Sequence, residues 1–451
     1  MIRKLHPATI IILSFLNCIG MGTALITLPV STVSGYISFM DALFTVTSAV
    51  CVTGLFIHDT GTHFTPFGQA VILLLIQVGG LGLMTISVVF FKFLGVNVSF
   101  QHRRVMQETF SHTPRKDIYA LLKSIFIFSG LTELIGAVLL AIYWSRKFPI
   151  SQAAYLGLFH SISAFCNAGF SLFPANLADY RDSVTVNLTI CGLIILGGIG
   201  FPVVFDLYEY LSRRRLKRVK LSLQTKIAGS TTGVLILAGM VLYLILEKNN
   251  SLKGLDTTQR ILGAFFQSVT ARTAGFNTLD LATLSDAGTF LMMILMFIGA
   301  SPGSCAGGVK TTTVTVLAVS AIASLKGILH PNVYKKSISD INVMKSLAIV
   351  GISVFFISLI FFLMLATQSS TPVQSSMAAN HFRIYLFEVL SAFGTVGLSI
   401  GATEVINDWG KFLLVIMMLI GRVGVLSFFY FIAGNEKDAG LEYSEESLML
   451  G

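Results

Sequence analysis

Charge is scarce in this chain. Only 12% of its 451 residues are Asp, Glu, Lys or Arg, about half the share that a soluble domain carries. That composition excludes the three or so soluble domains that the length alone would allow. Cysteine is scarce as well, and it is unpatterned. Cys18, Cys51, Cys166, Cys191 and Cys305 are odd in number and scattered, with no C-x-x-C. They indicate neither a disulfide framework nor a metal site. No His, Asp, Glu or Cys cluster stands at catalytic spacing, so nothing supports a membrane enzyme. No strand-rich, glycine-looped nucleotide domain is present either. What the chain has in excess is apolar: 54% hydrophobic residues, 36 phenylalanines and 40 glycines, with a mean hydropathy of +0.79.

A spanning helix needs about 20 apolar residues. Such stretches lie near 8–30, 66–94, 118–143, 184–208, 226–246, 286–300 continued by 309–325, 343–366 and 410–433. The basic start, Met1 to His6, leads into a long apolar stretch without a small-residue cleavage site, which predicts a first spanning helix rather than a cleaved signal. Within each successive pair of spans lies a shorter apolar run, at 40–55, 154–170, 260–276 and 384–398. Runs this short are predicted to be re-entrant. The net charge of +9 is not a nucleic-acid footprint, because the basic residues sit between the spans. One set of loops holds 20 Lys and Arg, the opposite set 8, and Arg272, Lys310 and Arg422 fall within membrane segments. The excess places both termini in the cytoplasm and the re-entrant tips outside.

Each short run ends at a glycine. The four sites are Val52-Thr53-Gly54, Asn167-Ala168-Gly169, Thr273-Ala274-Gly275 and Thr395-Val396-Gly397. A phenylalanine stands ten residues before each: Phe44, Phe159, Phe265 and Phe387. Serine stands six before in three copies (Ser48, Ser163, Ser391), and Val269 is the exception. Non-helical backbone survives at membrane depth only where it is buried in protein or lines a wet path. Four such segments around one axis would present rings of carbonyls able to replace the water shell of a monovalent cation. Glycine suits this role because it adopts backbone angles that other residues refuse. A second glycine mark follows 25, 28, 24 and 24 residues later, at Gly79, Gly197, Gly299 and Gly421. It reads either as close helix packing or as pore wall, and the two are compatible. The expected fold is an all-α membrane protein: four parallel repeats of outer helix, pore helix with filter, and inner helix around one pore, with eight spanning helices. The repeats cover 7–95, 117–212, 224–325 and 343–434, and a tail follows at 435–451.

These residues resemble the Trk/Ktr/HKT superfamily of potassium and sodium transporters. The most specific matches are Ser163 to Phe170, Arg272 to Asn277, Ser391 to Leu398 and the break in the third inner helix. The short basic start and short tail are most similar to the bacterial Ktr membrane subunit. The resemblance implies a potassium-selective conducting subunit of an uptake system. Potassium would be held at the carbonyls of the twelve filter residues named above, and sodium is kept open as an activator. In plant-type relatives a serine at the first filter position goes with sodium; Gly54 stands there in this chain. The resemblance also implies a homodimer, a cytosolic regulatory ring with nucleotide-binding (RCK-type) domains, and a plasma-membrane location. No bound cofactor is expected. The alternative is a sodium-coupled solute symporter, which inverted repeats would favour.

The stretch 299–313 is dense in small residues and holds Pro302, so a continuous third inner helix is not expected there. It approaches a phosphate-binding loop, but Val309 takes the lysine position and no strand precedes it. Broken backbone at this depth is expected to line a cavity. The family's intramembrane gating loop matches this position, with Gly299, Ser301, Gly303, Gly307, Gly308, Lys310 and Arg422 as gate residues. An arginine in mid-span is costly unless it meets a cavity or a partner. Arg422 is therefore expected to face the ion path or latch the loop through backbone carbonyls; snorkelling to the surface is the plainer alternative. Arg272 and Glu388 are expected to pair behind the filter and brace it. Glu133 has no evident partner. The basic run Arg213 to Lys220 serves topology and attraction to anionic lipid, or docks the cytosolic regulator.

Overall fold

The computed structural model describes residues 7–82, 118–212, 220–328, 330–368, 381–403 and 405–433. Arg213 to Val219 of the basic run, the acidic tail and the end of the first predicted repeat lie outside these residues. The described chain is helical apart from loops and one small hairpin, β1 (Asn332–Val333) with β2 (Lys336–Ser337).

One order of elements occurs four times: a long outer helix, a short helix, a glycine segment and an inner helix. The first unit has α1 (Pro7–Ile26), α2 (Phe39–Val50) and α3 (Pro66–Leu81). The second has α4 (Ile118–Trp144), α5 (Ile150–Phe165), α6 (Val184–Gly198) and α7 (Phe201–Ser212). The third has α8 (Leu223–Leu246), α9 (Thr257–Thr270), α10 (Asp286–Phe297) and α11 (Thr311–Leu325). The fourth has α12 (Asp340–Gln368), α13 (His381–Gly394), α14 (Asp408–Val423) and α15 (Val425–Ala433).

Local signals account for the helix starts. The side chains of Thr65, Ser183, Ser285 and Asn407 accept hydrogen bonds from the first turns of the inner helices. Such caps satisfy amide donors that a helix start leaves unpaired. Asp256 and Gln259 form a reciprocal capping box at α9, the arrangement that satisfies two such donors at once.

The four outer helices are long and apolar enough to cross a membrane. Their exposed faces carry residues such as Leu131, Val241 and Phe362, and lipid covers such faces without penalty. A break is expected from the sequence only in the third inner helix, but other inner helices are interrupted or end early too. The span expected at 184–208 bends by 94° between α6 and α7. α3 ends at Gly82 (φ 85°), α6 gives way at Gly200 (φ 97°) and α14 stops at Gly424 (φ 92°). Positive φ is cheap only for glycine, so each of these residues sets where its helix turns.

The short helices form the centre. Phe44, Phe159 and Phe387 are fully buried; in the third unit the fully buried ring is Phe266 rather than Phe265. Each inner helix packs against the short helix of the next unit: α3 on α5, α6 on α9, α10 on α13, and α14 back on α2. The four units therefore close into a cycle.

Candidate functional site: four glycine segments and a loop

The glycine segments close into the same cycle. Gly54, Gly169, Gly275 and Gly397 all have positive φ, at 91°, 70°, 77° and 88°. Two residues before each, Val52, Asn167, Thr273 and Thr395 are also left-handed, at 56°, 60°, 77° and 50°. Left-handed backbone is uncommon in non-glycine residues, and its fourfold recurrence at one register marks a shared backbone shape. A Cβ added to Gly54 would meet the Ala168 carbonyl oxygen; on Gly169 it would meet that of Ala274, on Gly275 that of Val396, and on Gly397 that of Thr53. Each glycine thus abuts the next segment's main chain, in the order one, two, three, four, one. All twelve filter candidates are buried.

The serines at position minus six hold this shape. Ser48 Oγ accepts from the Gly54 amide at 3.0 Å, and Ser391 Oγ accepts from the Gly397 amide at 3.1 Å. Ser163 Oγ donates to the Phe170 carbonyl at 2.8 Å. In the third unit Val269 cannot do this, and Thr270 takes over: its hydroxyl donates to the Phe276 carbonyl at 2.6 Å. Thr270 escaped the sequence reading because it stands five residues before its glycine instead of six. The Asn167 side chain lies 3.2 Å from the Thr273 hydroxyl, a direct link between segments two and three.

The second glycine mark is a packing contact in three units. A Cβ on Gly79, Gly197 or Gly421 would run into the carbonyl of Val50, Phe165 or Phe393 respectively. Each of these carbonyls stands four residues before the filter-position glycine, at the end of the short helix. The inner helix touches the short helix's backbone there, which small residues permit. In the third unit Gly299 instead meets the carbonyl of Gly307, within its own loop.

That loop runs between α10 and α11. It begins with a parallel bridge between Ile298 and Val309. Three backbone bonds tie it to the second unit. The Ser301 amide donates to the Gly198 carbonyl at 3.1 Å, the Cys305 amide to the Gly197 carbonyl at 3.2 Å, and the Phe201 amide to the Gly303 carbonyl at 2.9 Å. Gly307 lies directly against the Thr395 side chain. Lys310 Nζ folds back to the carbonyls of Ala306 (2.6 Å) and Gly307 (3.3 Å). Ser301 and Thr311 join their hydroxyls at 3.2 Å, and Gly303 and Gly308 take positive φ at the bends.

Arg422 lies beside the loop. Its guanidinium donates to the Cys305 carbonyl and to the Gly79 carbonyl, with Gly80 at 3.4 Å. One side chain of the fourth unit thus joins the loop to the first inner helix. The guanidinium thus ends on backbone carbonyls of the protein.

The expected brace between Arg272 and Glu388 is not formed. Arg272 Nη2 donates to the Thr232 hydroxyl of α8 at 3.4 Å, and the Thr403 hydroxyl donates to Glu388. No ion pair joins them among the described residues, because each turns to a threonine of its own unit. Glu133 does have a partner: Gln77 Nε2 donates to its two oxygens at 3.0 and 3.2 Å. Cys51 and Cys166 are buried and free. The Cys166 thiol fills the space that Gly80 leaves.

Residues 5–439 match the family described as TrkH, cation transport protein. The chain belongs to this family. TrkH-family relatives cover almost all of it. It is 39% identical over 450 residues to the Ktr system potassium uptake protein B of Bacillus subtilis (strain 168), covering 99% of this chain and 97% of the relative. It is 37% identical over 444 residues to the protein of that name from Vibrio alginolyticus, covering 98% and 94%. The potassium/sodium uptake protein NtpJ of Enterococcus hirae is 37% identical over 458 residues, covering 100% and 98%. The solved structure of the potassium transporter TrkH from Vibrio parahaemolyticus superposes with a TM-score of 0.71 at 20% identity, covering 95% of this chain and 86% of that one. The fold is therefore the TrkH membrane fold, and the relatives are transporters rather than enzymes.

Proposed function

We propose that this TrkH-family chain is the ion-conducting subunit of a potassium uptake system. Potassium passes a filter built from the carbonyls of Val52 to Gly54, Asn167 to Gly169, Thr273 to Gly275 and Thr395 to Gly397, and the 299–313 loop gates the path. The observation that carries this reading is the closed cycle, in which each of four glycines abuts the next segment's carbonyl. Rings of carbonyls are a recurrent way to strip water from a monovalent cation. The short helices add the negative ends of their dipoles. Inward movement is driven by the membrane potential, at about 2.3 kcal/mol per charge per 100 mV, so the chain needs no ATPase of its own.

The gate acts through contacts. Arg422 and Lys310 hold loop carbonyls, and Gly307 sits against Thr395. Release of those contacts opens the path. The repeats 7–95, 117–212, 224–325 and 343–434 stand as the functional units, with both termini cytoplasmic in the plasma membrane. A homodimer and a cytosolic ring of nucleotide-binding subunits complete the system. Two relatives bear the name of a Ktr system potassium uptake protein, which supports a multi-component assembly and potassium as cargo. The relative named for potassium and sodium keeps sodium as an activating or second ion. A symporter with inverted repeats fits less well, because the units follow one another in a single rotational sense.

The test is flux into vesicles, potassium against sodium, with and without added sodium, for the parent and for Gly275→Ser. The parent should prefer potassium, and the variant should lose that preference. Equal permeability in the parent would overturn the potassium reading.

A further inference from the structure

A groove of about 550 Å³ opens between the two halves of the third inner helix and the fourth unit. Its walls include Phe290 and Phe297 from α10, Ile298 at the start of the loop, Leu317 and Ala318 from α11, and Leu390 from α13. The volume falls in the ~300–1,000 Å³ range of ligand-sized clefts. Its lining is apolar throughout, and it sits in a chain that spans a membrane.

Charge marks one end of the groove. Ala321 and Val350, on α11 and α12, are its last lining residues toward the α11–α12 connection. Lys326 follows Ala321 by five residues and Lys345 precedes Val350 by five, each about 7 Å along a helix axis. Both lysines are exposed. The hairpin between them adds exposed Lys335 and Lys336, with Asp340 as the one acid before Lys345. The two helices pack together, so both lysines lie beyond the same end of the groove's lining.

We infer that the groove binds one acyl chain of an anionic phospholipid, with the head group held at Lys326 and Lys345. An apolar trough beside a neutral rim would take any lipid tail; paired lysines at its end select a negative head, since basic residues near a membrane surface attract anionic lipid. The occupant touches both α10 and α11, and so spans the break. It also touches Ile298, whose backbone pairs with Val309 at the base of the loop. A bound tail fixes the two half-helices relative to one another, and with them the loop as seen here.

Native mass spectrometry of the purified full-length chain, exchanged into detergent with phosphatidylglycerol or phosphatidylcholine, tests this. The parent should retain phosphatidylglycerol in preference to phosphatidylcholine. Lys326→Gln with Lys345→Gln should reduce phosphatidylglycerol retention about thirtyfold, the weight of two surface lysines toward anionic lipid, and leave phosphatidylcholine unchanged. Ala318→Phe, which fills the trough, should lose both lipids. If Ala318→Phe does not fold, the lysine pair still decides the matter: retention equal to the parent overturns the site. So does a groove variant that turns a dimer into a monomer with its lipid content unchanged, because a second copy of the chain is then the occupant. This readout is independent of ion selectivity, so it stands or falls apart from the transport reading.

Discussion

The third inner helix and the other three solve one problem in two ways. In each unit the inner helix ends or breaks just past the short helix. In units one, two and four, one glycine packs against a short-helix carbonyl, and a second, three residues on, turns the chain: Gly79 with Gly82, Gly197 with Gly200, Gly421 with Gly424. In unit three the turn is a loop, and its packing glycine, Gly299, rests on the loop itself. These three helix ends are anchored on buried helix backbone. The fourth is anchored on backbone bonds to unit two and on the side chains of Arg422 and Thr395. Contacts of the first kind cannot yield without moving a core helix. Contacts of the second kind can be exchanged for water one at a time, and the proposed gate uses that difference.

Gly197→Ala against Gly299→Ala tests this difference with the largest expected effect. The Gly197 methyl would overlap the Phe165 carbonyl on a buried helix, and overpacking of that kind costs about 1–3 kcal/mol. Folded yield and unfolding midpoint should drop sharply. Gly299→Ala meets only a loop carbonyl and should fold, with altered flux. Equal losses would erase the contrast.

Arg422→Gln comes next. It strips donors from the Cys305 and Gly79 carbonyls; Gly79 keeps the Gly82 amide, and an acceptor such as Cys305 that loses its donor costs about 1–3 kcal/mol. Potassium leak in vesicles should rise about tenfold, the equivalent of about 1.4 kcal/mol. Leak at the parent's level would remove the latch. Lys310→Met should act in the same direction by about fivefold, since its bonds stay within the loop and a hydrogen bond nets about 1 kcal/mol.

The smallest effect concerns the segments rather than the loop. Thr270→Val and Ser163→Ala each delete one hydroxyl-to-carbonyl bond in equivalent places. Each should lower the potassium-to-sodium permeability ratio by about two- to fivefold, from about 0.5–1 kcal/mol per bond. A change confined to Ser163→Ala would show that Thr270 is not the third unit's substitute for serine.

Composition and spacing were enough to reveal the membrane class, the four short helices and the filter-position glycines. The signals were strong there because lipid forbids most backbone alternatives and glycine marks the few exceptions. The interruption at 299–313 was legible for the same reason, since small residues and Pro302 crowd one stretch. The helix ends at Gly82, Gly200 and Gly424 were not, because an isolated glycine inside an apolar run is also compatible with a continuous helix. Charge partners were least legible. Arg272 and Glu388 looked complementary in sequence, yet each reaches a threonine in its own surroundings. Glu133, without a visible partner in sequence, meets Gln77 of the first unit.

By itself the sequence determined the membrane class and the four matched glycine-bearing segments, because hydropathy and glycine spacing are local properties of the chain. Only the tertiary structure decided that the fourth segment returns to the first, that Arg422 reaches across units to the loop, and that Thr270 does the work of a missing serine. Those are long-range contacts. They depend on where side chains from separate helices meet once the units have closed on one another.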